Sequence, residues 1–408
     1  MKTVNWDRKP LRAVADLCLG KMLDQNKNRG DLFPYLANVN VRWGEFDLND
    51  LRTMRFEAHE MERYGLRFGD IVMCEGGEPG RCAIWRDQLP GMMIQKALHR
   101  IRPKELLDYQ FLFYNLLHIG KTRQFDQYFT GATIKHLPGE KLAKVEVDIP
   151  PLPIQRRIAG ILSAYDELIE NSQRRIKILE AMVRALYREW FVHFRFPGHE
   201  SVPRVPSPLG DIPKDWEVKT FTEIADVLSG GTPKTDIAEY WNGEIPFFTP
   251  RDAPNCFYVQ NTEKHVTELG LSRCASELYP PDTVFITARG TVGKVSLPSV
   301  PMAMNQSCYA LRGKAGVSQR YLFLLILRQV DYLRTNTGGA TFDTIVVDTF
   351  RRMQIVVPRR EVIADFTGQV AAMFEEAATL QRQIQNLRRT RDLLLPRLLS
   401  GQIAIQEN

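Results

Sequence analysis

Two long segments of the chain carry apolar residues at spacings that alternate between four and three positions. The first stripe begins at Ile158 and ends at Trp190, and the second begins at Phe366 and ends at Leu398. This alternation keeps a stripe on one face of an α-helix and is typical of a coiled-coil seam. The predicted seam positions are Ile158, Leu162, Tyr165, Ile169, Ser172, Ile176, Leu179, Val183, Leu186 and Trp190, and Phe366, Val370, Met373, Ala377, Leu380, Ile384, Leu387, Arg391, Leu394 and Leu398.

The second stripe repeats the first at an offset of 208 positions, from Ile158 to Phe366. The polar exceptions, Ser172 and Arg391, either fix the register or lie where the seam frays. One stripe alone is equally typical of a core helix in a bundle, but two stripes in the same register favour pairing with each other. Because the chain returns through a globular segment between them, we expect the pairing to be antiparallel.

Proline residues mark the ends of both predicted helices. Pro153 and Pro358 lie near the helix starts, where the missing N–H costs nothing, and Pro396 is expected to stop or kink the second helix. The segment from Ile158 to Trp190 would form a rod of roughly 50 Å, at about 1.5 Å per residue.

The segments before the two helices also match each other. Residues 76–81 parallel residues 289–294, Ile94-Gln95 parallels Asn305-Gln306, and residues 130–133 parallel residues 338–341. Short β-rich runs broken by Gly, Pro and Asn lie between these motifs, and a helix is expected late in each half. Each half is therefore predicted to be a mixed α/β domain.

The predicted fold class is α+β, with two α/β domains separated by two long helices that pair as an antiparallel coiled coil in a pseudo-twofold internal repeat. The predicted boundaries are 1–152 for the first domain, 153–196 for the central helix, 197–213 for an extended and exposed proline-rich linker, 214–357 for the second domain and 358–400 for the C-terminal helix.

Composition agrees with a globular protein of more than one domain. The chain has 408 residues, and 44% of them are hydrophobic. Its longest apolar run, residues 321–327, is far too short to span a membrane, and residues 1–10 lack the apolar core of a secretory signal. The six cysteines form no C-x-x-C pair, so neither a disulfide framework nor a zinc knuckle is indicated, and a reducing cytoplasm is expected.

Charge and motifs favour a binding protein over an enzyme. The net charge of +6 is a weak indication of a polyanionic partner, and a nucleic-acid surface would require charge sorted onto one face. The sequence has no phosphate-binding G-x-x-x-x-G-K-[ST] loop, no G-x-S-x-G nucleophile elbow and no N-P-P-[FY] sequence, and its histidines lack metal-ligand spacing. We therefore expect neither catalysis nor a metal site in this chain.

Two related domains on a rod suit a DNA partner. Each base pair advances the duplex by about 3.4 Å, so two reading heads on such a rod would meet major grooves about one helical turn or somewhat more apart. Heads that are similar but not identical would read a split, asymmetric site.

Several motifs resemble the specificity subunit of type I restriction–modification systems, and the resemblance covers nearly the whole chain. They are PPLPIQRRI (150–158), ALYREWFVHFRFPG (185–198), SGGTPKT (229–235), YWNGEIPFFTP (240–250), RGTVG (289–293) and LLPRLLSG (394–401). The second helix is less typical of the family than the first, which leaves its partner contacts open.

This resemblance implies a DNA-binding, non-catalytic subunit with two target-recognition domains, each reading one half of a bipartite asymmetric DNA site. It implies a coiled coil that sets the spacing and docks two modification subunits, which bring S-adenosylmethionine and methylate adenine. Two restriction subunits would add ATP and magnesium, whereas this chain would hold no cofactor. The alternative is a coiled-coil adaptor that joins two proteins without reading DNA.

Candidate DNA contacts follow from residue chemistry, since Arg, Lys, Asn and Gln read base edges and Lys, Arg, Ser, Thr and backbone N–H groups bind phosphates. In the first domain they are Lys21, Lys27, Asn28, Arg29, Asn38, Asn40, Arg42, Gly76, Gly77, Arg81, Gln95 and Lys96. In the second domain they are Gly230, Gly231, Thr232, Lys234, Thr235, Thr249, Arg251, Arg289, Lys294, Asn305 and Gln306.

Each candidate also has a structural interpretation. A basic side chain is often only a solvated charge, and a glycine loop is often only a tight turn. Gln95 and Gln306 stand out because a polar residue recurs in both halves, although a hydrogen bond within a loop would explain them equally well.

Overall fold

A computed structural model describes residues 6–24, 28–314, 316–335, 344–403 and 405. The chain divides into two compact units. The first unit is Met1–Ile169 together with Leu387–Asn408, and the second unit is Glu170–Asn386. Among the described residues, no helix is long and apolar enough to cross a membrane.

The first unit combines short strands with one well-buried helix. Its strands are β1 (Asp7–Pro10), β2 (Ala15–Leu19), β3 (Asp31–Leu36), β4 (Arg52–Phe56), β5 (Ile71–Cys74), β6 (Cys82–Ile84), β7 (Met93–Ile94), β8 (Leu98–Pro103) and β9 (Glu146–Ile149). Its helices are α1 (Leu11–Val14), α2 (Met61–Tyr64), α3 (Tyr109–Lys121), α4 (Gly139–Leu142) and α5 (Leu152–Phe191), the last of which continues into the second unit.

The strands of the first unit form an antiparallel sheet of order β2-β8-β5-β6, a smaller sheet of order β4-β3-β7 and the pair β1-β9. Helix α3 is capped by Asp108, the residue before its first turn, whose carboxylate accepts hydrogen bonds from the backbone N–H groups of Gln110 and Phe111. The apolar face of α3 packs with β5, β6 and the start of α5 in one hydrophobic core.

The second unit repeats this plan. Its strands are β10 (Arg204–Val205), β11 (Ile212–Pro213), β12 (Glu217–Thr220), β13 (Ala225–Ser229), β14 (Trp241–Phe248), β15 (Tyr258–Val259), β16 (Lys264–Val266), β17 (Val284–Thr287), β18 (Val295–Pro298), β19 (Ala303–Met304), β20 (Cys308–Gly313) and β21 (Gln354–Val357). Its helices are α6 (Phe221–Ile224), α7 (Glu268–Ser272), α8 (Gln319–Thr335), α9 (Val347–Arg352) and α10 (Arg360–Leu399), which ends in the first unit.

Sheet topology confirms the internal repeat. The order β13-β20-β17-β18 matches β2-β8-β5-β6, with β15 added at the edge, and β16-β14-β19 matches β4-β3-β7. Both smaller sheets contain one parallel pair, β3 with β7 and β14 with β19. The pair β12-β21 matches β1-β9. The fold is therefore α+β with two α/β halves, as the sequence predicted.

Helices α5 and α10 are the two elements predicted from the apolar stripes. Each has 40 residues, and both their starts and their ends are 208 positions apart. All twenty predicted seam positions are buried or half-buried. Two apolar stripes that leave water in this way supply the main driving force for association of the helices.

The two helices pair in an antiparallel direction within each unit. In the first unit, Ile158 and Leu162 share a core with Leu395 and Leu398, whereas Asp166 lies beside Arg391. In the second unit, Arg175 pairs with Glu376 at 2.5 Å, and the ring of Trp190 lies 5.6 Å from that of Phe366. The partner number on α10 falls as the number on α5 rises, which confirms the predicted antiparallel pairing.

The segment predicted to be an extended, exposed linker contains ordered structure. Strands β10 and β11 pair within it, and Ile212 is buried in the core of the second unit. The prolines are compatible with this hairpin because its two strands are only two residues long each. Pro396 lies inside α10, which ends three residues later at Leu399, as expected for a proline near a helix terminus.

Candidate nucleic-acid interface

Three loops of the second unit meet at one edge of its larger sheet. Strand β20 is antiparallel to both β13 and β17, so Ser229 at the end of β13 and Thr287 at the end of β17 lie beside the start of β20. The loops that follow β13 and β17 and the loop that precedes β20 therefore converge. The Ser307 carbonyl accepts hydrogen bonds from the N–H groups of Ala288 at 2.7 Å and Arg289 at 3.2 Å.

Exposed polar side chains project from these converging loops. The Thr232 hydroxyl donates to Oε1 of Gln306, which joins the first loop to the third. Arg289 is exposed on the middle loop. A hydroxyl, an amide and a guanidinium at one sheet edge are suited to contact base edges and phosphates. The other exposed candidates of this unit are Lys234, Thr235 and Arg251.

The first unit gathers the same three loops. Leu19 at the end of β2 pairs with His99, and Cys74 at the end of β5 pairs with Leu98. The N–H of Lys96 donates to the Lys21 carbonyl at 2.9 Å, and the N–H of Glu75 donates to the Ala97 carbonyl at 2.8 Å. The exposed candidates in this unit are Arg29, Arg42, Gly77 and Lys96.

The glycine motifs form tight turns in equivalent hairpins of the two units, β5–β6 in the first and β17–β18 in the second. Gly77 and Gly80 have φ values of 81° and 91°, and their counterparts Gly290 and Gly293 have φ values of 76° and 82°. This left-handed region is accessible to glycine at no steric cost. The N–H of Gly80 donates to Cys74, and that of Gly293 donates to Thr287, which is the equivalent position.

Gly230 and Gly231 lie where another backbone segment approaches them closely. A Cβ atom at Gly230 would lie 2.1 Å from the Asn305 carbonyl oxygen, and one at Gly231 would lie 2.5 Å from the Ala275 nitrogen. Gly76 is also buried, and its Cβ would lie 3.0 Å from Nδ1 of His136. These three glycines are therefore explained by neighbouring protein atoms, which corrects their prediction as an open phosphate-binding surface.

Lys21 and Asn40 are buried, which corrects their prediction as DNA contacts. Lys21 is 3% exposed and forms an ion pair with Glu60. The Asn40 amide accepts from the N–H of Ala37 at 2.9 Å and donates to the carbonyls of Asp47 and Asp50. Since their polar atoms are already bonded inside the protein, neither side chain is available to a nucleic acid.

Arg81 and Asn28 are also committed to structural bonds. The Arg81 guanidinium bonds Glu78 at 2.7 Å and the Asn38 carbonyl at 2.9 Å. Oδ1 of Asn28 accepts from the N–H of Arg55 at 2.8 Å. These bonds hold loops together, and both side chains are half-buried, so contact with DNA stays a prediction for Arg81 and Asn28. Lys27 lies outside the described residues.

The remaining candidate residues already make some contacts within the protein. The Asn38 side chain is half-buried, and its Nδ2 would be only 2.7 Å from a Cβ atom at Gly77. The Thr249 hydroxyl caps a turn by bonding Asp252 at 2.6 Å, and Nζ of Lys294 bonds Oδ1 of Asn255 at 2.9 Å. Contact with DNA remains a prediction for these residues and for the exposed ones.

The recurring polar residue before β8 and β20 has a structural role in both units. Oε1 of Gln95 accepts from the N–H of Ala97 at 3.0 Å, and Oδ1 of Asn305 accepts from the N–H of Ser307 at 3.1 Å. Gln95 is therefore equivalent to Asn305, and the predicted pairing of Gln95 with Gln306 was wrong by one position. Of the two interpretations, the hydrogen bond within a loop is the one observed for Gln95.

The candidate set omitted one exposed loop of the first unit, residues 130–136. Nδ1 of His136 lies 3.1 Å from Oε2 of Glu75, and Thr130 and His136 form a β-bridge, so the loop joins the same edge. Ile134 and Lys135 are exposed on it. The matching stretch at 130–133 and 338–341 was the signal that could have identified it, and 338–341 lies outside the described residues.

Among the described residues, one group has the spacing of a metal site, namely Glu57, His59 and Glu60. Glu60 is already paired with Lys21, however. Partial burial opposes ionisation of Glu60, but hydrogen bonds from Lys21 and from the N–H of Glu57 hold its pKa below the ordinary value. The carboxylate is thus occupied by an internal cation.

Comparison with known proteins agrees with the two-unit architecture. A family model described as type I restriction modification DNA specificity domain matches residues 4–181 and again residues 213–386. The chain is 25% identical to the type I restriction enzyme MjaIX specificity subunit of Methanocaldococcus jannaschii, covering 99% of this chain and 94% of the relative. It is 24% identical to the HindI specificity subunit of Haemophilus influenzae, covering 92% and 93%.

The fold also matches a solved structure. The crystal structure of a type I restriction–modification S subunit from M. genitalium aligns with a TM-score of 0.59 and 16% identity, covering 98% of this chain and 97% of that one. Both halves of the sequence match the same family domain, and each half forms a unit of the same topology. The chain therefore belongs to the family of type I restriction–modification specificity subunits and carries two target-recognition domains.

Proposed function

We propose that the chain reads a bipartite, asymmetric DNA sequence, with one half-site for each unit. The observation that carries this proposal is that both units gather the same loops at the same sheet edge but present different side chains there. Lys96 of the first unit corresponds to Gln306 of the second, and both side chains are exposed. Different chemistry at equivalent positions would read different bases.

We also propose that α5 and α10 act as the spacer and docking frame. Because each helix contributes residues to both units, we expect the helix pair to set the spacing between the two DNA half-sites. Two modification subunits would dock on it and bring S-adenosylmethionine for adenine methylation. Two restriction subunits would add ATP- and magnesium-dependent cleavage. In this proposal the chain is non-catalytic, holds no cofactor and acts in the cytoplasm.

The test uses the full chain co-purified with its modification subunit on a library of random duplexes at about 0.1 M salt. We expect enrichment of one bipartite motif, and methylome sequencing of the host with and without the gene should report the same motif. Salt-sensitive binding without sequence preference would contradict the proposal, because phosphate contacts alone carry no sequence information.

Helix-breaking variants test the docking frame. Leu179→Pro and Leu387→Pro remove a backbone hydrogen bond within α5 and α10, and we expect both to abolish assembly with the modification subunit. A variant chain that still assembles would argue against the helix pair as the docking frame. A chain that assembles with two proteins but reads no DNA would instead support the adaptor alternative.

A further inference from the structure

Lys21 follows β2 and Gly20 in the first unit, and its ammonium group is directed into the protein. Nζ bonds Glu60, donates to the Arg55 carbonyl at 3.0 Å and lies 5.1 Å from the centre of the Phe56 ring. The side chain is 4% exposed. A buried ammonium with a carboxylate, a carbonyl and an aromatic face around it has its hydrogen-bonding and charge requirements met by the protein.

The partner carboxylate belongs to the turn that follows β4. Glu60 ends the 3-10 turn Ala58–Glu60, and its Oε2 also accepts from the N–H of Glu57 at 2.9 Å. The ion pair therefore joins the segment that follows β2, a strand of the larger sheet, to the turn that follows β4, a strand of the smaller sheet. It is a link between segments that belong to two different sheets of the same unit.

Arg55 extends this link to the described part of the β2–β3 connection that precedes β3. Its N–H donates to the Asn28 side chain at 2.8 Å, and its guanidinium donates to the Gly30 carbonyl at 2.8 Å. Lys21 and Asn28 thus hold the two described ends of the connection to the same residue of β4. Arg29, between Asn28 and Gly30, is exposed on this connection.

The second unit has no lysine at the equivalent position. Gly231 follows Gly230 as Lys21 follows Gly20, and a Cβ at Gly231 would lie 2.5 Å from the Ala275 nitrogen. At this position the second unit has close backbone packing, whereas the first unit has the Lys21–Glu60 ion pair. Any effect of the Lys21–Glu60 ion pair on DNA recognition is therefore expected in the first unit alone.

We propose that Lys21 and Glu60 are positioning residues for recognition of the first half-site, and that Lys21 itself does not contact DNA. Together with the bonds of Arg55 to Asn28 and Gly30, the ion pair holds the described ends of the β2–β3 connection against β4. The exposed Arg29 is thereby oriented before DNA binds. This inference rests on the proposed reading function and adds the residues that orient one of the two heads.

The experiment measures binding of the full chain, with its modification subunit, to a labelled duplex carrying the enriched motif and to a random duplex. The variants are Lys21→Met, Glu60→Gln and the double variant Lys21→Met/Glu60→Met. We expect each single variant to weaken binding to the motif by about tenfold, because one buried charge loses its partner, and to change random-duplex binding by less than about twofold. The double variant should return to within about threefold of the wild type.

The matched control is Lys96→Met, on the adjacent loop but exposed. If Lys96 contacts a phosphate, its loss weakens binding to both duplexes and reduces the salt slope by about one. If Lys21 were also a phosphate contact, Glu60→Gln would free its ammonium, strengthen binding to both duplexes and steepen the slope. That result, or unchanged binding in both single variants, would overturn the positioning role.

The outcomes separate this inference from the proposed function. A wild-type complex without sequence preference contradicts the reading function whatever the variants do. A wild-type complex with a bipartite motif, together with stronger binding by Glu60→Gln, contradicts only the positioning role. If Lys21→Met fails to fold, the isosteric Glu60→Gln decides the question, since its side chain is partly exposed and keeps its volume.

Discussion

Arg391 occupies a seam position of α10, where a charged side chain would ordinarily oppose burial. Its guanidinium donates to Asp166 of α5, and the Tyr114 hydroxyl donates to the same carboxylate at 2.6 Å. Burial acts to lower the pKa of Arg391, but Asp166 and Asp392 outweigh it and raise that pKa. Within the first unit, this arginine therefore fixes how the helices meet and does not mark a frayed seam.

Arg391→Met should destabilise the protein by about 2 kcal/mol, because the largely buried Asp166 carboxylate would lose its cationic partner. Urea unfolding of the full chain measures the loss as a lower transition midpoint. The matched control is Arg175→Met, which breaks an α5–α10 ion pair at an exposed position and should cost less than about 0.5 kcal/mol. Equal losses would contradict the register role of Arg391.

Glu180 gives the second unit a pH-dependent element. Burial raises its pKa, although the N–H of Phe257, at 2.7 Å, and Arg184 act in the opposite direction. A folded-state pKa above the unfolded value means that the contribution of Glu180 is fully present below the unfolded pKa and is lost as pH rises through the folded pKa.

We therefore expect Glu180→Gln to be more stable than the wild type at pH 8 and to lose this advantage as pH falls towards 4. The amide keeps an acceptor for the N–H of Phe257 and carries no charge to desolvate. Thermal unfolding of both proteins across this range gives the difference in Tm directly, and effects of other titrating groups cancel in it. An advantage that grows on acidification would contradict the assignment.

At the scale of elements, α5 and α10 each separate a buried face from an exposed one. Phe366 is fully buried against the rings of Tyr187, Trp190 and Phe191, with centroid distances of 6.0, 5.6 and 4.9 Å. Leu168, which lies outside the predicted seam, is 54% exposed. The free energy of helix association should therefore come from the seam face alone.

Phe366→Ala should cost about 3–5 kcal/mol, since it removes a large ring from a closed aromatic cluster and leaves a cavity. Leu168→Ala is the control and should change the free energy of unfolding by less than about 0.5 kcal/mol. Denaturant unfolding of the two variants provides the comparison. A small loss for Phe366→Ala would show that this cluster refills easily and contributes little to the pairing.

At the scale of the whole molecule, the two units have separate hydrophobic cores. The core around Phe111 and Leu116 belongs to the first unit, and the core around Phe323 and Phe350 belongs to the second. The converging loops of each unit are supported by that unit's own core. Substitutions in the loops of one unit should therefore leave the structure of the other unit's loops unchanged.

Lys96→Ala in the first unit and Arg289→Ala in the second should each weaken binding to the target duplex by about fivefold, and the double variant should weaken it by the product. Free energies add when sites share no partner. Binding titrations of the wild type, the two single variants and the double variant give the coupling free energy between the two substitutions, which should be below about 0.5 kcal/mol. Lys214→Ala, which changes an exposed lysine that is not among the candidate DNA contacts, is the control and should have no effect.

Prediction from sequence worked for the repeated elements but was off by one position for Gln95. The offset between equivalent residues is 210 at β2 and β13, 213 at β5 and β17, and 208 at α5 and α10. Insertions within the loops shift the alignment between these points. Pairing in the sheets identifies equivalent residues without this ambiguity, because hydrogen-bond register is independent of loop length.

The sequence by itself determined the duplicated plan and the two seam helices, because the period of apolar residues along a helix is a local property of the chain. Only the tertiary structure decided which polar residues remain at the surface. Lys21 and Asn40 have the side-chain chemistry of DNA contacts, but Glu60 and the Asp47 and Asp50 carbonyls bond their polar atoms inside the protein. Whether such a partner lies within reach depends on how distant segments fold together.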